Sequence, residues 1–205
     1  MGKLYPALDE QLRKFIVSQS VFFVGTAPCL GPDGEGGHVN VSPKGYQDTF
    51  AVLGPLRVAY LDLTGSGAET IAHLRQNGRI TIMFCSFDRT ARIVRLYGRG
   101  RVVLPGQPEW DELAVSFRRL SPEALAADDA PGGERSIIVV DLDRVADSCG
   151  YAVPVMELKG ERDVLDRYNA RKTEAELAAY RVDKNTVSID GLPALDDDLA
   201  SVPVT

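Results

Sequence analysis

Apolar and polar residues alternate along most of this chain with the two-residue period that is typical of β-strands. The runs richest in β-branched, aromatic and aliphatic residues predict strands over residues 21–26, 39–42, 50–53, 57–63, 79–85, 92–104 and 136–142. A helical spacing of apolar residues predicts helices over residues 9–18, 68–77 and 108–120. Because tight turns join most of the strands, we predict a mainly β (α+β) fold. It would be a six- to seven-stranded antiparallel barrel with flanking helices rather than a doubly wound parallel sheet.

The last quarter of the chain lacks the strand-forming pattern of the residues before it. Residues 162–180 are charged and predict a helix, residues 184–193 are irregular, and residues 196–198 form an acidic run. Too few apolar residues remain there to build a second core. We therefore predict a barrel domain over residues 1–145 and an appendage over residues 146–205, which packs on the barrel or on a partner subunit.

The composition of the 205 residues, 44% hydrophobic and 25% charged, is typical of a soluble globular protein. A formal net charge of −6 argues against a nucleic-acid-binding protein, which would need a basic face. No apolar run is long enough to span a membrane, and the N-terminus lacks the apolar stretch of a signal peptide. The three cysteines are far apart and there are two histidines, so we expect a cytoplasmic protein without a metal site.

The residues between the strand 57–63 and the helix 68–77 carry the most specific chemical signal. Gly65, Ser66 and Gly67 break the strand, and Gly78 is placed to end the helix. A strand, a glycine–hydroxyl loop and a helix start together gather free backbone N–H groups and hydroxyls around an anion, usually a phosphate. Taken alone, such a loop is more often an ordinary strand-to-helix turn, so its surroundings must decide.

Those surroundings point to a family. Residues 39–45 (VNVSPKG), 58–62 (VAYLD), the loop 65–67, residues 78–84 (GRITIMF) and residues 92–98 (RIVRLYG) follow one another in a characteristic order. This order resembles the pyridoxamine 5′-phosphate oxidase-like, FMN-binding split-barrel superfamily over roughly residues 20–142. The resemblance implies a split barrel that forms a homodimer, with FMN in the groove between the subunits. It also implies oxidoreductase chemistry on an unidentified small-molecule substrate, with a nicotinamide nucleotide as the candidate electron donor.

The resemblance also implies roles for single positions. The positions along the flavin ring and ribityl chain are Val39, Asn40, Val41, Ser42 and Lys44. Those beside the flavin are Tyr60, Leu61 and Asp62, and Ile93 lies against the ring. The positions at the phosphate are Ser66, Gly67 and Thr70. Relatives usually carry one or two basic residues in the phosphate loop, whereas this chain has Gly67, Ala68 and Glu69 there. The phosphate would then depend on Ser66, Thr70, the loop amides, Lys44 and Arg79. No catalytic side chain is predicted, because a flavin carries the redox chemistry itself.

Two alternatives stay open. Related split barrels use a deazaflavin coenzyme, whose anionic tail would need a basic groove. A non-enzymatic flavin- or haem-binding protein belongs to a different class, and haem would need an axial ligand from His38 or His73. We predict that His38 lies in a loop and that His73 lies on the outer, solvent-facing side of its helix. Trp110 and Phe117 are predicted to be packing residues.

Overall fold

The computed structural model describes residues 2–32, 36–126 and 132–195. Within these residues the strands are β1 (Leu4–Tyr5), β2 (Phe22–Thr26), β3 (Asn40–Lys44), β4 (Phe50–Gly54), β5 (Arg57–Leu63), β6 (Arg79–Cys85), β7 (Arg92–Val103) and β8 (Glu134–Cys149). The α-helices are α1 (Glu10–Val17), α2 (Glu69–Asn77), α3 (Trp110–Ala114), α4 (Pro122–Leu125), α5 (Val164–Asn169) and α6 (Glu174–Asn185). All seven strands that the alternation predicts are present, and β5 and β6 have the predicted ends.

The strands form one antiparallel sheet in the order β3-β2-β6-β7-β8-β5-β4, with β1 paired to β8. In the described part of the chain, β3 and β4 end this order and do not pair with each other, so the barrel is open between them. The fold is therefore a split barrel, as predicted. The seven strands of the path agree with the predicted number. The eighth strand, β1, was not predicted because two residues are too few to show a period.

Among the described residues, the barrel encloses the largest of three apolar cores. Four aromatic side chains contact one another at its centre, with ring centroids 5.0 to 5.6 Å apart, and they are Phe22, Phe50, Tyr60 and Phe84. Helix α1 closes one end with Leu12 and Ile16, which are both fully buried. Each such side chain contributes about 1.5–3 kcal/mol through its removal from water, so this core holds β2 and β5 in fixed positions.

The second core lies on the outer side of β5 and β8, where Trp110 and Phe117 pack against Leu61 and Val139. This confirms the prediction that the two aromatic residues are packing residues. The single helix predicted over residues 108–120 is wrong: α3 ends at Ala114, and a 3-10 turn covers Arg118–Leu120. The break arises because Phe117 takes an extended backbone conformation (φ −111°, ψ 116°) that turns its ring into the core.

The C-terminal quarter also differs from its prediction. Strand β8 continues to Cys149, so the predicted boundary between residues 145 and 146 falls inside a strand. The helix predicted over residues 162–180 is two helices, α5 and α6, because Thr173 begins a new one. Its hydroxyl accepts a hydrogen bond from the Glu176 amide, and the Glu176 carboxylate accepts one from the Thr173 amide, a capping box. The acidic run at residues 196–198 lies outside the described residues. None of the helices described is long and apolar enough to cross a bilayer.

Candidate functional site

Strand β3 turns its polar side chains toward the opening of the barrel. Its register with β2 sets Asn40, Ser42 and Lys44 opposite Thr26, Val24 and Phe22, whose side chains face the barrel interior. Because successive residues of a strand point to opposite faces, Val39 and Val41 point outward, with 70% and 66% of their surface exposed. The strand predicted to bind the flavin ring therefore has polar side chains toward the barrel interior and apolar side chains on its outer face.

Three of the predicted cofactor-binding residues contact one another at the inner face of β3. The Asn40 Nδ2 donates a hydrogen bond to Thr70 Oγ1 over 3.1 Å, and Ser42 Oγ donates to Asn40 Oδ1 over 3.1 Å. Thr70 lies in the first turn of α2, so this cluster joins β3 to the helix that follows the glycine loop. The structure therefore places the middle of β3 beside the start of α2, as a shared ligand site would require.

The prediction that His73 faces solvent is wrong. His73 is fully buried, and its Nδ1 lies 3.0 Å from Thr26 Oγ1. Helix α2 has no solvent-facing side at this turn, because Ile71 and Ala72 pack against the segment that contains Ala194 and Leu195. Burial lowers the pKa of His73, which favours the neutral ring at physiological pH.

A buried ion cluster lies between β3 and β5. Lys44 Nζ lies 2.9 Å from one oxygen of the Asp62 carboxylate, and Arg135 Nη2 lies 2.7 Å from the other. Ser136 Oγ completes the cluster with a hydrogen bond to Asp62 Oδ2 over 3.3 Å. Burial raises the pKa of Asp62, but Arg135 and Lys44 outweigh burial and lower it from 3.8 to about 2. The carboxylate is therefore ionised at neutral pH and fixes both cations.

Arg135 also fixes the orientation of the glycine loop. Its Nη1 donates hydrogen bonds to the carbonyl oxygens of Gly67 (2.7 Å) and Gly65 (3.3 Å), and Asn185 Nδ2 donates to the same Gly65 oxygen over 2.8 Å. Within the described residues every peptide bond is trans, so each carbonyl points opposite to the N–H group of the next residue. Two inward carbonyls therefore leave the N–H groups of Ser66 and Ala68 pointing away from Arg135.

Helix α6 supports the start of the same loop. The Arg181 Nε donates a hydrogen bond to Thr64 Oγ1 over 3.0 Å, and its Nη2 donates to the Glu134 carbonyl over 3.2 Å. Arg181 is 3% exposed, so the C-terminal region buries a guanidinium directly beneath the loop. Sequence reasoning missed Arg135 and Arg181, because nothing in their local sequence distinguishes them from surface residues of a strand and a helix.

Several predicted positions lie away from this group. The Tyr60 side chain belongs to the inner core and the Leu61 side chain to the second core, so only their main chains remain for a ligand. Ile93 lies on β7, which β2 and β6 separate from β3 within one chain. Arg79 begins β6 at the far end of α2, and nine helical residues span about 13 Å. We therefore remove Arg79 from the phosphate-binding residues.

A cavity of about 780 Å³ adjoins the loop. Its walls come from the end of β3 and the turn after it, from the outer side of β5, and from the C-terminal segment 158–168. Lys44, Thr64 and Gly65 line this cavity and also belong to the ion cluster or the loop. Its volume is within the range of small-molecule pockets.

Comparison with known proteins identifies the family. The family described as "Pyridoxamine 5'-phosphate oxidase" matches residues 8–149. The pyridoxamine 5'-phosphate oxidase family protein ustO of Aspergillus flavus is 40% identical over 211 residues, which cover 95% of this chain and 78% of that protein. The family match and this identity decide the assignment.

Solved structures give weaker likenesses. HupZ from Group A Streptococcus has a TM-score of 0.48 and 17% identity, covering 68% of this chain and 98% of its own. An FAD-binding protein from Mesorhizobium loti has a TM-score of 0.45 and 15% identity, covering 69% of this chain and 94% of its own. These two likenesses are too weak to carry an argument about function. From the family match and the relative in Aspergillus flavus, the chain belongs to the pyridoxamine 5′-phosphate oxidase family.

Proposed function

We propose that the protein binds FMN with its phosphate on the glycine loop and acts as a flavin-dependent oxidoreductase on a small molecule. The observation that carries the proposal is the orientation of the loop: the inward carbonyls of Gly65 and Gly67 leave the amides of Ser66 and Ala68 directed outward. Outward amides at a helix N-terminus form a binding site for an anion, and the helix dipole of α2 adds to it. The family resemblance supports a flavin phosphate at this loop.

The residues of the loop fit a phosphoryl group. Its donors are two main-chain amides and the exposed Ser66 hydroxyl, all uncharged groups suited to an anion. A Cβ at position 67 would lie 2.6 Å from Glu69 Oε2, so any larger residue there would displace the Glu69 side chain. The cations Arg135 and Arg181 lie behind the loop rather than in it. They would take the place of the basic loop residues that relatives carry. Glu69 is the one group of the loop that opposes a phosphate.

The flavin would supply hydride transfer, and the chain would supply binding and orientation. Strand β3 ends the sheet order, so the main-chain groups along its free edge are available to the ring. Asn40, Ser42 and Lys44 are held by hydrogen bonds and an ion pair before any ligand arrives, which lowers the entropy cost of binding. No protein side chain needs to act as a nucleophile.

Titration with FMN and with riboflavin tests the phosphate site directly. Riboflavin lacks the phosphate, so it should bind at least about tenfold more weakly than FMN if the loop amides hold that group. Quenching of flavin fluorescence measures both affinities. Equal affinities would overturn the assignment of the loop.

The spectrum of the purified protein separates the cofactors. Flavin absorption bands support FMN, whereas a blue-shifted and strongly fluorescent species supports a deazaflavin coenzyme. Bleaching of the bound flavin by a nicotinamide nucleotide supports a reductase over a passive carrier. Haem is less favoured at His73, because that ring is fully buried with its Nδ1 beside Thr26.

We also propose a homodimer in the cytoplasm. Large apolar side chains are exposed on the outer side of β3 and again after β8, where Tyr151 is 84% exposed and Val155 72%. Exposed apolar surface of this kind marks an interaction site. The three cysteines are free, as expected in a reducing compartment.

Size-exclusion chromatography with light scattering should give twice the mass of one chain. A mass of 22.3 kDa would show a monomer and contradict the dimer. The matched variant Val41→Asp places a charge on the outer face of β3, where it touches no core residue. It should shift the population toward monomer without loss of folded structure.

A further inference from the structure

We propose that the cavity beside the loop binds a second small molecule, one with an apolar, ring-sized body and a single anionic group. The cavity is formed by one chain, so binding there does not require the flavin. Its further role as the pocket of the reducible or oxidisable substrate rests on the proposed function. The observations that support the proposal are the walls of the cavity, the bonds that fix its shape and the charges that line it.

Aliphatic side chains from three separate segments form most of the wall. Leu61 and Leu63 come from β5, Pro43 from the end of β3, and Val164 and Leu165 from α5. An apolar enclosure of about 780 Å³ selects an apolar ligand body, because burial of apolar surface is the main source of affinity in such pockets. A body of this kind would not be held by the phosphate loop, whose donors are polar.

Two hydrogen bonds hold the C-terminal wall against the opposite one. Tyr46 donates its hydroxyl proton to the Arg162 carbonyl over 2.7 Å, and the Gln47 amide donates to the Glu161 carboxylate over 3.2 Å. Tyr46 takes a left-handed backbone conformation (φ 61°), which is costly for a residue other than glycine. Strained residues of this kind gather at ligand sites. Its ring also lies over the Arg119 guanidinium, 5.0 Å from the centroid, which fixes its position.

The charges of the wall favour an anion. Among the described lining residues there are two cations, Lys44 and Arg162, and one carboxylate, Glu161. Lys44 is paired with Asp62, and Glu161 accepts from the Gln47 amide. The Arg162 side chain has no hydrogen bond or ion pair with any residue that the structure describes, so its guanidinium is available to a ligand. A guanidinium binds carboxylate and sulfonate groups well.

The cavity shares one border with the proposed flavin site. Thr64 and Gly65 line the cavity and also begin the glycine loop, and Lys44 ends the strand along which the ring would lie. A ligand in the cavity would therefore be a neighbour of the flavin and not a competitor for the phosphate amides.

The fluorescent probe 8-anilinonaphthalene-1-sulfonate, an aromatic anion, tests the site on the full-length protein. We expect one probe molecule to bind per chain. Tryptophan at Val164 or Leu158, which are both exposed lining residues, should fill the cavity and weaken binding at least about tenfold. Val187→Trp is the matched control, because Val187 is equally exposed and does not line the cavity. The variants lie outside the cores, so circular dichroism should show unchanged folding.

The remaining arms decide each part of the proposal. Unchanged probe affinity in both Val164→Trp and Leu158→Trp would overturn the site. N-phenyl-1-naphthylamine, which lacks the sulfonate, should bind several-fold more weakly, and Arg162→Met should abolish that difference. Equal binding of the two probes by the wild-type protein would overturn the anionic group.

FMN should not displace the sulfonate probe, and displacement would show that the cavity belongs to the flavin. If FMN itself does not bind while the tryptophan variants still lose the probe, the proposed function fails and the cavity site stands.

Discussion

Replacement of Arg135 by methionine is expected to lower the free energy of unfolding by about 3–5 kcal/mol, because it leaves the buried Asp62 carboxylate with one cation instead of two. Methionine has a similar length and no charge, so little packing is lost. The same change frees the Gly67 carbonyl and leaves the Gly65 carbonyl with the Asn185 side chain as its one remaining donor, so FMN affinity should fall more than riboflavin affinity. Urea unfolding measures the first effect and flavin titration the second.

Arg135→Lys is the control for charge. It keeps a cation beside Asp62 but cannot donate to both the carboxylate and the loop carbonyls, since it lacks the planar fork of a guanidinium. We expect it to recover most of the stability and little of the FMN preference. A decrease of less than about 1 kcal/mol in the free energy of unfolding of Arg135→Met would contradict the role of the ion cluster, because ion pairs exposed to solvent contribute no more than that.

Acid unfolding gives a second measurement of the same cluster. The pKa of Asp62 in the folded protein lies below its ordinary value of 3.8, at about 2. The ionised carboxylate therefore stabilises the fold above about pH 4, and this contribution is lost as the pH falls toward 2. Loss of Arg135 raises the folded-state pKa, so the contribution becomes smaller and the acid-unfolding midpoint should move to higher pH.

Ser66→Asp is expected to weaken FMN binding on the order of 10- to 100-fold, because it sets a carboxylate beside a doubly charged phosphate. Ser66→Asn has nearly the same shape without the charge and should have a much smaller effect. Riboflavin affinity should change little in either variant. Added salt should reduce the loss, since the loop is exposed and charge repulsion there is screened. An equal loss in Ser66→Asp and Ser66→Asn would show that shape, and not phosphate charge, is being measured.

Glu69→Gln should have the opposite effect on FMN affinity, because it removes a negative charge instead of adding one. An oxygen of the Glu69 carboxylate lies 2.6 Å from the place where a Cβ of residue 67 would stand, so neutralisation of this carboxylate should tighten FMN binding by several-fold. From tightest to weakest, the expected order of FMN affinity is Glu69→Gln, the wild-type protein and Ser66→Asp.

The strands and the loop could be predicted from the sequence because their signals are local. Residues 57–63 and 79–85 are rich in β-branched, aromatic and aliphatic residues, and their ends agree with β5 and β6. The β7–β8 register shifts between Tyr97 and Gly98, and a glycine inside a strand is a common local sign of such an irregularity. A side chain at Gly98 would clash with the Asp141 carbonyl, which explains the glycine.

The groups that orient the loop could not be predicted, because they come from distant parts of the chain. Arg135 is 73 positions from Asp62, and Arg181 is 117 positions from Thr64. An arginine at the start of a strand or within a charged helix is ordinarily a surface residue, and only the fold shows that these two are buried. For the same reason the burial of His73 depends on a segment more than a hundred residues away.

The inward carbonyls of the loop have a consequence for recognising similar proteins. A loop that is oriented through its carbonyl groups leaves only a weak trace in its own side chains, because the main chain of any residue can make these bonds. The trace lies instead in an arginine at the beginning of the last strand and an asparagine at the end of a C-terminal helix. Truncation before that helix would keep in the chain all eight strands that the structure describes and remove Asn185 and Arg181, two of the three side chains that support the loop.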